Sequence, residues 1–319
     1  MIADGSSRLR DVVHRYRVVH RTTYRYPESV AICRNQIRVT PRRITHGTTE
    51  VRPQTVQLSI APEPTSRNAF TDYFGNTVTH FSIERPHDHL AIQSQFDVTL
   101  HVDSVGVDSV GADALTVASL NRWLDDSPDA RRVEIDEFRR DSPRVQSVDT
   151  IDSDARLVVD PAADVRDAAM AVTRWLHERM TYDPSATDVS TPPATAHATG
   201  RGVCQDFAHI AVAMMRSVGV PSRYVSGYLR TVPPPGRPRL VGADQSHAWF
   251  GVFAGPGAGW IDFDPTNGCI AGTDHIPIAV GRDYGDVAPV RGIVLGGGRA
   301  TLGVSVDVAP VVVERVGKT

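Results

Sequence analysis

The chain has 319 residues, 41% hydrophobic and 22% charged, which supports a buried core and excludes a disordered, collagen-like or coiled-coil polypeptide. A net charge of −3 offers no electrostatic case for nucleic acid or an anionic membrane surface as a partner. No apolar run approaches the ~18 residues that span a bilayer, and the first residues lack the apolar stretch of a signal peptide, so a cytoplasmic location is expected.

Residues 1–105 read as an antiparallel β-domain, a sandwich or barrel. Arg15–Tyr26 is rich in β-branched and aromatic residues, and Gln36–Thr40 alternates and stops at Pro41. Val56–Ile60, Val78–Ile83 and Phe96–Val102 follow, separated by turns such as Tyr73-Phe-Gly-Asn-Thr77. Residues 106–157 read as short connecting helices after a Gly/Asp/Ser cluster at 103–112. The span 158–285 reads as a second domain. Its first helix starts after Asp164, with Val165, Ala168, Ala169, Val172, Leu176 and Met180 at helical spacing. Ser185–Arg201 reads as a long loop, and a second helix runs from Cys204 to Gly219 and Pro221. Strands are expected at Arg223–Leu229, His247–Phe253 and Trp260–Phe263, and terminal strands in 286–319 at Leu302–Val308 and Val311–Val313. The fold class is therefore α+β.

Three cysteines, Cys33, Cys204 and Cys269, are too few for a disulfide framework and suit free thiols. Cys204 stands apart, within Gly200-Arg-Gly-Val-Cys-Gln-Asp-Phe-Ala-His209 at a helix N-terminus. Unpaired amides and the helix dipole there favour negative charge, hence thiolate. A buried cysteine packing as a small hydrophobe is the commoner case, and the helix start alone would not displace that reading. Two later segments do. His247 opens one strand and Asp264 closes the next, so antiparallel pairing sets them side by side. A thiol nucleophile, an imidazole base and an orienting carboxylate make a nucleophilic triad. Asp262 competes for the last role, being on the same strand face by alternation.

Together these segments resemble the transglutaminase-like superfamily, within the papain-like cysteine enzymes. The resemblance is carried by Gly200-Arg-Gly-Val-Cys-Gln-Asp-Phe-Ala208, Val218-Gly-Val-Pro-Ser-Arg-Tyr-Val-Ser-Gly-Tyr228, His247-Ala-Trp249 and Gly259-Trp-Ile-Asp-Phe-Asp-Pro-Thr-Asn267. Val19-His-Arg-Thr-Thr-Tyr-Arg-Tyr26, Asn35-Gln-Ile-Arg-Val-Thr-Pro-Arg42 and Asp72-Tyr-Phe-Gly-Asn76 are similar to the β-domain of a bacterial subfamily, and Gly281-Arg-Asp-Tyr-Gly-Asp-Val-Ala-Pro289 to its C-terminal segment. The resemblance implies a papain-like core whose nucleophile sits at a helix N-terminus packed on an antiparallel sheet. It implies that Cys204 attacks an acyl carbon, His247 moves the proton and Asp264, the acid before Pro-Thr, holds the imidazole.

The expected activity is hydrolysis of a peptide or protein amide through a thioester. Transfer to an amine is the alternative, and a non-catalytic scaffold on the same fold is a third reading. The arylamine N-acetyltransferases also use Cys, His and Asp, but their Arg-Gly-Gly-x-Cys-x-Glu motif differs from Arg201-Gly-Val-Cys-Gln-Asp206. Gln205 and Asp206 are supporting or oxyanion candidates, with capping and loop anchoring as the plainer role. Trp249 and Trp260 either pack around the triad or line the groove. The Cys204 backbone amide is one candidate oxyanion donor. The resemblance to animal transglutaminases implies a tryptophan upstream of the cysteine as the second, but Trp175 reads as core, so that donor stays open, and His209 reads as buried structure. His87-Asp-His89 lacks the spacing of a closed metal site, and neither metal nor cofactor is expected. Homo-oligomerisation and the role of the β-domain (selecting a peptide, closing over the groove or dimerising) stay open.

Overall fold

The computed structural model describes residues 12–46, 49–102, 114–231 and 244–311. The Gly/Asp/Ser cluster at 103–112 and residues 312–313 of the last expected strand lie outside the described residues.

Six strands open the chain: β1 (Val12–Ile37), β2 (Ile44–His46), β3 (Thr49–Ala61), β4 (Ser66–Thr71), β5 (Thr77–Ile83) and β6 (His87–Val102). β1 is one strand of 26 residues where the sequence suggested two. Its ladder to β6 slips between Arg25 and Val30, and Pro27, which has no N–H to offer, sits in that irregularity. Along β1 the residues Tyr16, Val18, His20, Thr22 and Tyr26 are buried while Arg17, Arg21 and Arg25 are exposed, the period-two pattern of a half-covered strand.

Helices follow: α1 (Val117–Asp126), α2 (Arg131–Asp136), α3 (Asp149–Val158) and α4 (Val165–Arg179). The expected start of α4 is present, with the Asp164 carboxylate accepting the Asp167 amide at 2.8 Å. The helices expected in the connecting span 106–157 pack against α4. Val117, Leu120, Leu124, Ile151 and Ala155 share a core with α4, and their apolar spacing among charges is that of amphipathic helices.

Next come β7 (Thr181–Tyr182), α5 (Pro193–Thr199), β8 (Arg201–Gly202) and α6 (Cys204–Ser217). The presumed loop 185–201 thus contains a helix, begun by Pro193 and ended by Gly200 at φ 63°. A five-stranded antiparallel sheet completes the core: β9 (Ser222–Leu229), β10 (Gln245–Phe253), β11 (Trp260–Asp264), β12 (Cys269–Ile270) and β13 (His275–Gly281), in the order β12-β11-β10-β9-β13. A short helix α7 (Tyr284–Val287) leads to β14 (Val290–Gly296) and β15 (Thr301–Pro310), which return to pair with β1. The first sheet thereby reaches eight strands, ordered β2-β3-β6-β1-β5-β4 with β14 and β15 added to β1.

Two clusters fix the site. Phe250, Val252, Phe263 and Ile261 of the five-stranded sheet pack on Phe207, Ile210 and Met214 of α6 and on α4. Tyr228, Ile276 and Ile278 pack on Tyr16, Val18, Phe96, Val306 and Val308, locking the two sheets together. Each such side chain contributes about 1.5–3 kcal/mol on burial, so this seam holds the N-terminal sheet firmly on the core. Among the described residues no helix is long and apolar enough to cross a membrane.

Candidate active site

Cys204 is the first residue of α6, behind the extended Val203. The turn is shaped by Asp206, whose Oδ2 accepts the Val203 amide at 2.8 Å and the Thr187 hydroxyl at 2.6 Å. A side chain on Gly202 would meet that oxygen at 2.6 Å, so the glycine there is a requirement of close approach. Burial raises the Asp206 carboxyl above its ordinary range. Asp206 therefore caps the helix that Cys204 opens. Gln205 lines the Cys204 cavity, with its Nε2 3.4 Å from the Val189 carbonyl.

β10 pairs with β11 from Phe253↔Trp260 to Phe250↔Phe263, and extending that ladder brings the strand ends holding His247 and Asp264 together. His247 Nε2 lies 2.8 Å from Asp264 Oδ2. With Nε2 so committed, Nδ1 is the ring nitrogen left for other partners, and Cys204 lines the same cavity as the ring. Burial disfavours charge on this imidazole, but the bond to Asp264 and the nearby Cys204 outweigh it and raise His247 to about 10. Burial likewise opposes ionisation of Asp264, and the imidazoles of His247 and His275 overcome it, holding the carboxyl well below the usual range.

Asp264 has more partners than the sequence suggested. Its Oδ2 also accepts from His275 Nε2 at 3.0 Å and Asn267 Nδ2 at 2.6 Å, and its Oδ1 accepts the Thr266 and Asn267 amides at 2.9 and 3.1 Å. His275 Nδ1 accepts the Gly272 amide at 3.1 Å, so Nε2 is its protonated nitrogen and points at the carboxylate. Sequence reasoning missed His275, which carries no motif. Asn267 was visible only as part of Asp-Pro-Thr-Asn.

Asp262 is occupied elsewhere: Oδ2 accepts from Trp249 Nε1 at 3.0 Å, and Oδ1 lies 3.7 Å from Arg223 Nη2. Neither tryptophan lines the groove. Trp249 is fully buried, edge-on to His275 with ring centroids 5.2 Å apart. Trp260 starts β11, at the far end from Asp264, between Phe253, Phe138 and the Arg223 guanidinium. Trp175 stacks on His197.

The other candidates separate from the site. His209 is buried, accepts the Tyr284 amide at 3.1 Å and is pushed by burial down to about 3. His87 and His89 bond to the Arg85 carbonyl and to Asp88 respectively. Among the described residues, His247, Asp264 and His275 are the group close enough to hold an ion, their ligand atoms within 4.8 Å of one another. All three cysteines are free thiols. Burial raises Cys33, and burial with the nearby Asp264 charge raises Cys269 to about 11.

Cys204 and His247 open into a cavity of about 360 Å³. Core residues Val203, Gln205, Tyr224 and Ser226 form one side; His20, Thr22 and Tyr24 of β1 with Leu302 and Val304 of β15 form the other. The N-terminal sheet is thus a wall of the groove. Val189, Tyr284 and Val290 are shared with an adjoining cavity of about 830 Å³, so the groove continues past the thiol. The constellation can perform nucleophilic attack at Cys204 with proton transfer through His247.

Comparison with known proteins agrees with this architecture. The transglutaminase-like superfamily matches residues 154–265, and the bacterial transglutaminase-like N-terminal region matches residues 16–99. An uncharacterised protein of Mycobacterium tuberculosis is 33% identical over 304 residues, 93% of each chain. One of Mycobacterium leprae is 34% identical over 300 residues, 92% of this chain and 98% of its own. A protein-glutamine gamma-glutamyltransferase of Pseudomonas aeruginosa is 30% identical over 121 residues, 35% of this chain and 18% of that one. Among solved structures, a provisionally named cysteine protease of Cytophaga hutchinsonii superposes with a TM-score of 0.74 at 20% identity, over 95% of this chain and 92% of that one.

Proposed function

Since the chain belongs to the bacterial transglutaminase-like family, we propose that it is a cysteine amidohydrolase with Cys204 as nucleophile, His247 as acid and base, and Asp264 as the orienting carboxylate. The observation that carries this reading is the Asp264 Oδ2–His247 Nε2 contact, at 2.8 Å, with His247 lining the same cavity as the Cys204 thiol at a helix start.

His247, oriented by Asp264, takes the Cys204 thiol proton and becomes imidazolium. The sulfur attacks the amide carbon and the carbonyl oxygen takes the negative charge, for which the Cys204 backbone N–H at the helix start is a donor. Collapse breaks the C–N bond as His247 gives its proton to the leaving nitrogen, leaving a thioester. Water then attacks that carbon, His247 takes its proton, and the C–S bond breaks to release the acid and regenerate the thiolate. Throughout, Asp264 keeps the ring oriented and offsets its charge.

The continuous groove suits an extended peptide or protein segment better than a small compact amide. Hydrolysis is favoured over transfer by the cavity lining. Among the described residues around Cys204 no Asp or Glu faces the cavity to recruit a lysine amine. In the adjoining cavity Asp283 accepts backbone amides and Asp286 is paired with Arg282. Transfer to an amine is the second reading, favoured by the segment shared with the Pseudomonas aeruginosa transferase.

The test is incubation with a mixture of peptide amides, acid quenching and intact-mass analysis, repeated with millimolar labelled primary amine. A Cys204 acyl adduct discharging to free acid supports hydrolysis. Amine incorporation outpacing acid release supports transfer, and the absence of any adduct removes the catalytic reading.

A further inference from the structure

On β1, His20, Thr22 and Tyr24 occupy one strand face at two-residue spacing, and all three line the cavity that holds Cys204. β15 registers against them, with Val304 opposite Thr22 and Leu302 opposite Tyr24. His20 is bonded at both ring nitrogens: Nδ1 is 2.6 Å from the Tyr228 hydroxyl and Nε2 is 2.7 Å from Thr22 Oγ1.

The directions of these bonds follow from burial. Tyr228 is 3% exposed, and His20 is the hydrogen-bond partner of its hydroxyl among the described residues. A buried O–H without an acceptor is costly, so the phenol donates to Nδ1. Nδ1 is then an acceptor, and the ring proton sits on Nε2. Burial pushes this imidazole down to about 4, which keeps the ring neutral at ordinary pH. Nε2–H consequently donates to Thr22 Oγ1. The Thr22 hydroxyl hydrogen cannot point back at His20 and has no other acceptor among the described residues, while its side chain borders the cavity.

We infer that Thr22 is a substrate-binding residue, offering its O–H to a carbonyl oxygen of the peptide held against Cys204, with its polarity set by Tyr228 through His20. The ligand chemistry is that of an acceptor, a peptide carbonyl, and not that of a cation or an amine. The N-terminal sheet thus takes part in substrate recognition. The inference rests on Cys204 being the nucleophile.

The experiment compares two thiol reagents on the whole chain: a peptidyl chloromethyl ketone, which carries backbone carbonyls, and methyl methanethiosulfonate, which carries none. Thr22→Val is expected to slow labelling of Cys204 by the ketone about three- to tenfold, the worth of one neutral hydrogen bond, and to leave the thiosulfonate rate unchanged. Thr22→Ser restores the ketone rate. Tyr228→Phe frees the ring to accept from Thr22, so it gives a similar selective loss, and the Thr22→Val/Tyr228→Phe pair loses no more than either alone. Equal slowing of both reagents, no slowing, or multiplying losses in the pair would each overturn the inference. Thr22→Val with Thr22→Ser decides it alone if Tyr228→Phe fails to fold. Labelling of Cys33 or Cys269 in place of Cys204 in the unmutated chain is a distinct result, which overturns the nucleophile assignment itself.

Discussion

His275 Nε2 lies 3.0 Å from Asp264 Oδ2, on the same oxygen that His247 Nε2 reaches at 2.8 Å. The carboxylate is fully buried and is shared between two imidazoles, one facing the cavity and one behind it. His275 touches neither the cavity nor Cys204 in any bond, so it acts as a positioning residue through Asp264. His275→Ala is expected to lower kcat about tenfold, the order of one hydrogen bond to a charged group, and to leave KM unchanged. His275→Gln, which keeps an N–H donor, should recover part of the loss. A change confined to KM would contradict this role.

The two aspartates of β11 should separate cleanly. Asp264→Asn removes the charge that stabilises imidazolium, a loss that reaches ~10⁴ in kcat for serine triads. Asp262→Asn weakens the bonds to Trp249 and Arg223 instead, and its main effect should be a lower Tm. Parallel measurement of kcat and Tm checks both. A larger kcat loss at Asp262 would reassign the orienting role.

Position along the chain decided what the sequence made legible. Cys204 opens α6, and His247 and Asp264 lie near the facing ends of the paired strands β10 and β11, positions that the strand pattern and the family resemblance could point to. His275 reaches Asp264 only because β13 crosses to the far side of β9, a non-local pairing that its apolar surroundings in His275–Gly281 do not announce. The helix Pro193–Thr199 read as loop because Pro192 and Pro193 are turn signals as well as helix starters. The helices at Val117–Asp126 and Asp149–Val158 read as connections because charges surround their few apolar anchors. The wall formed by His20, Thr22 and Tyr24 depends on how two sheets dock, which no strand pattern encodes.

The pH dependence follows from His247. Its folded value, about 10, lies above the ordinary histidine range of ~6.5. Its contribution to stability is therefore present in full below the ordinary range and lost as pH rises through about 10. Asp264, depressed, contributes above the ordinary carboxylate range and loses that contribution as pH falls through its folded value. The stability gap between the unmutated chain and His247→Gln, read from urea unfolding, should shrink as pH rises from 7 towards and beyond 10. The alkaline limb of kcat/KM should lie in the same region, and Asp264→Asn should move it towards neutrality. A limb centred near neutral pH in the unmutated chain would contradict the strong His247–Asp264 coupling.

Cys204 as the sole reacting thiol is tested most directly by substoichiometric iodoacetamide at neutral pH, with peptide mapping and residual activity followed together. Cys33 and Cys269 are raised by burial and stay protonated there, whereas Cys204 faces His247 in an open cavity. The account predicts that label accumulates on Cys204, that activity falls in proportion to that label, and that Cys204→Ala is inactive. Alkylation of Cys33 or Cys269 ahead of Cys204, or full activity in Cys204→Ala, would contradict it.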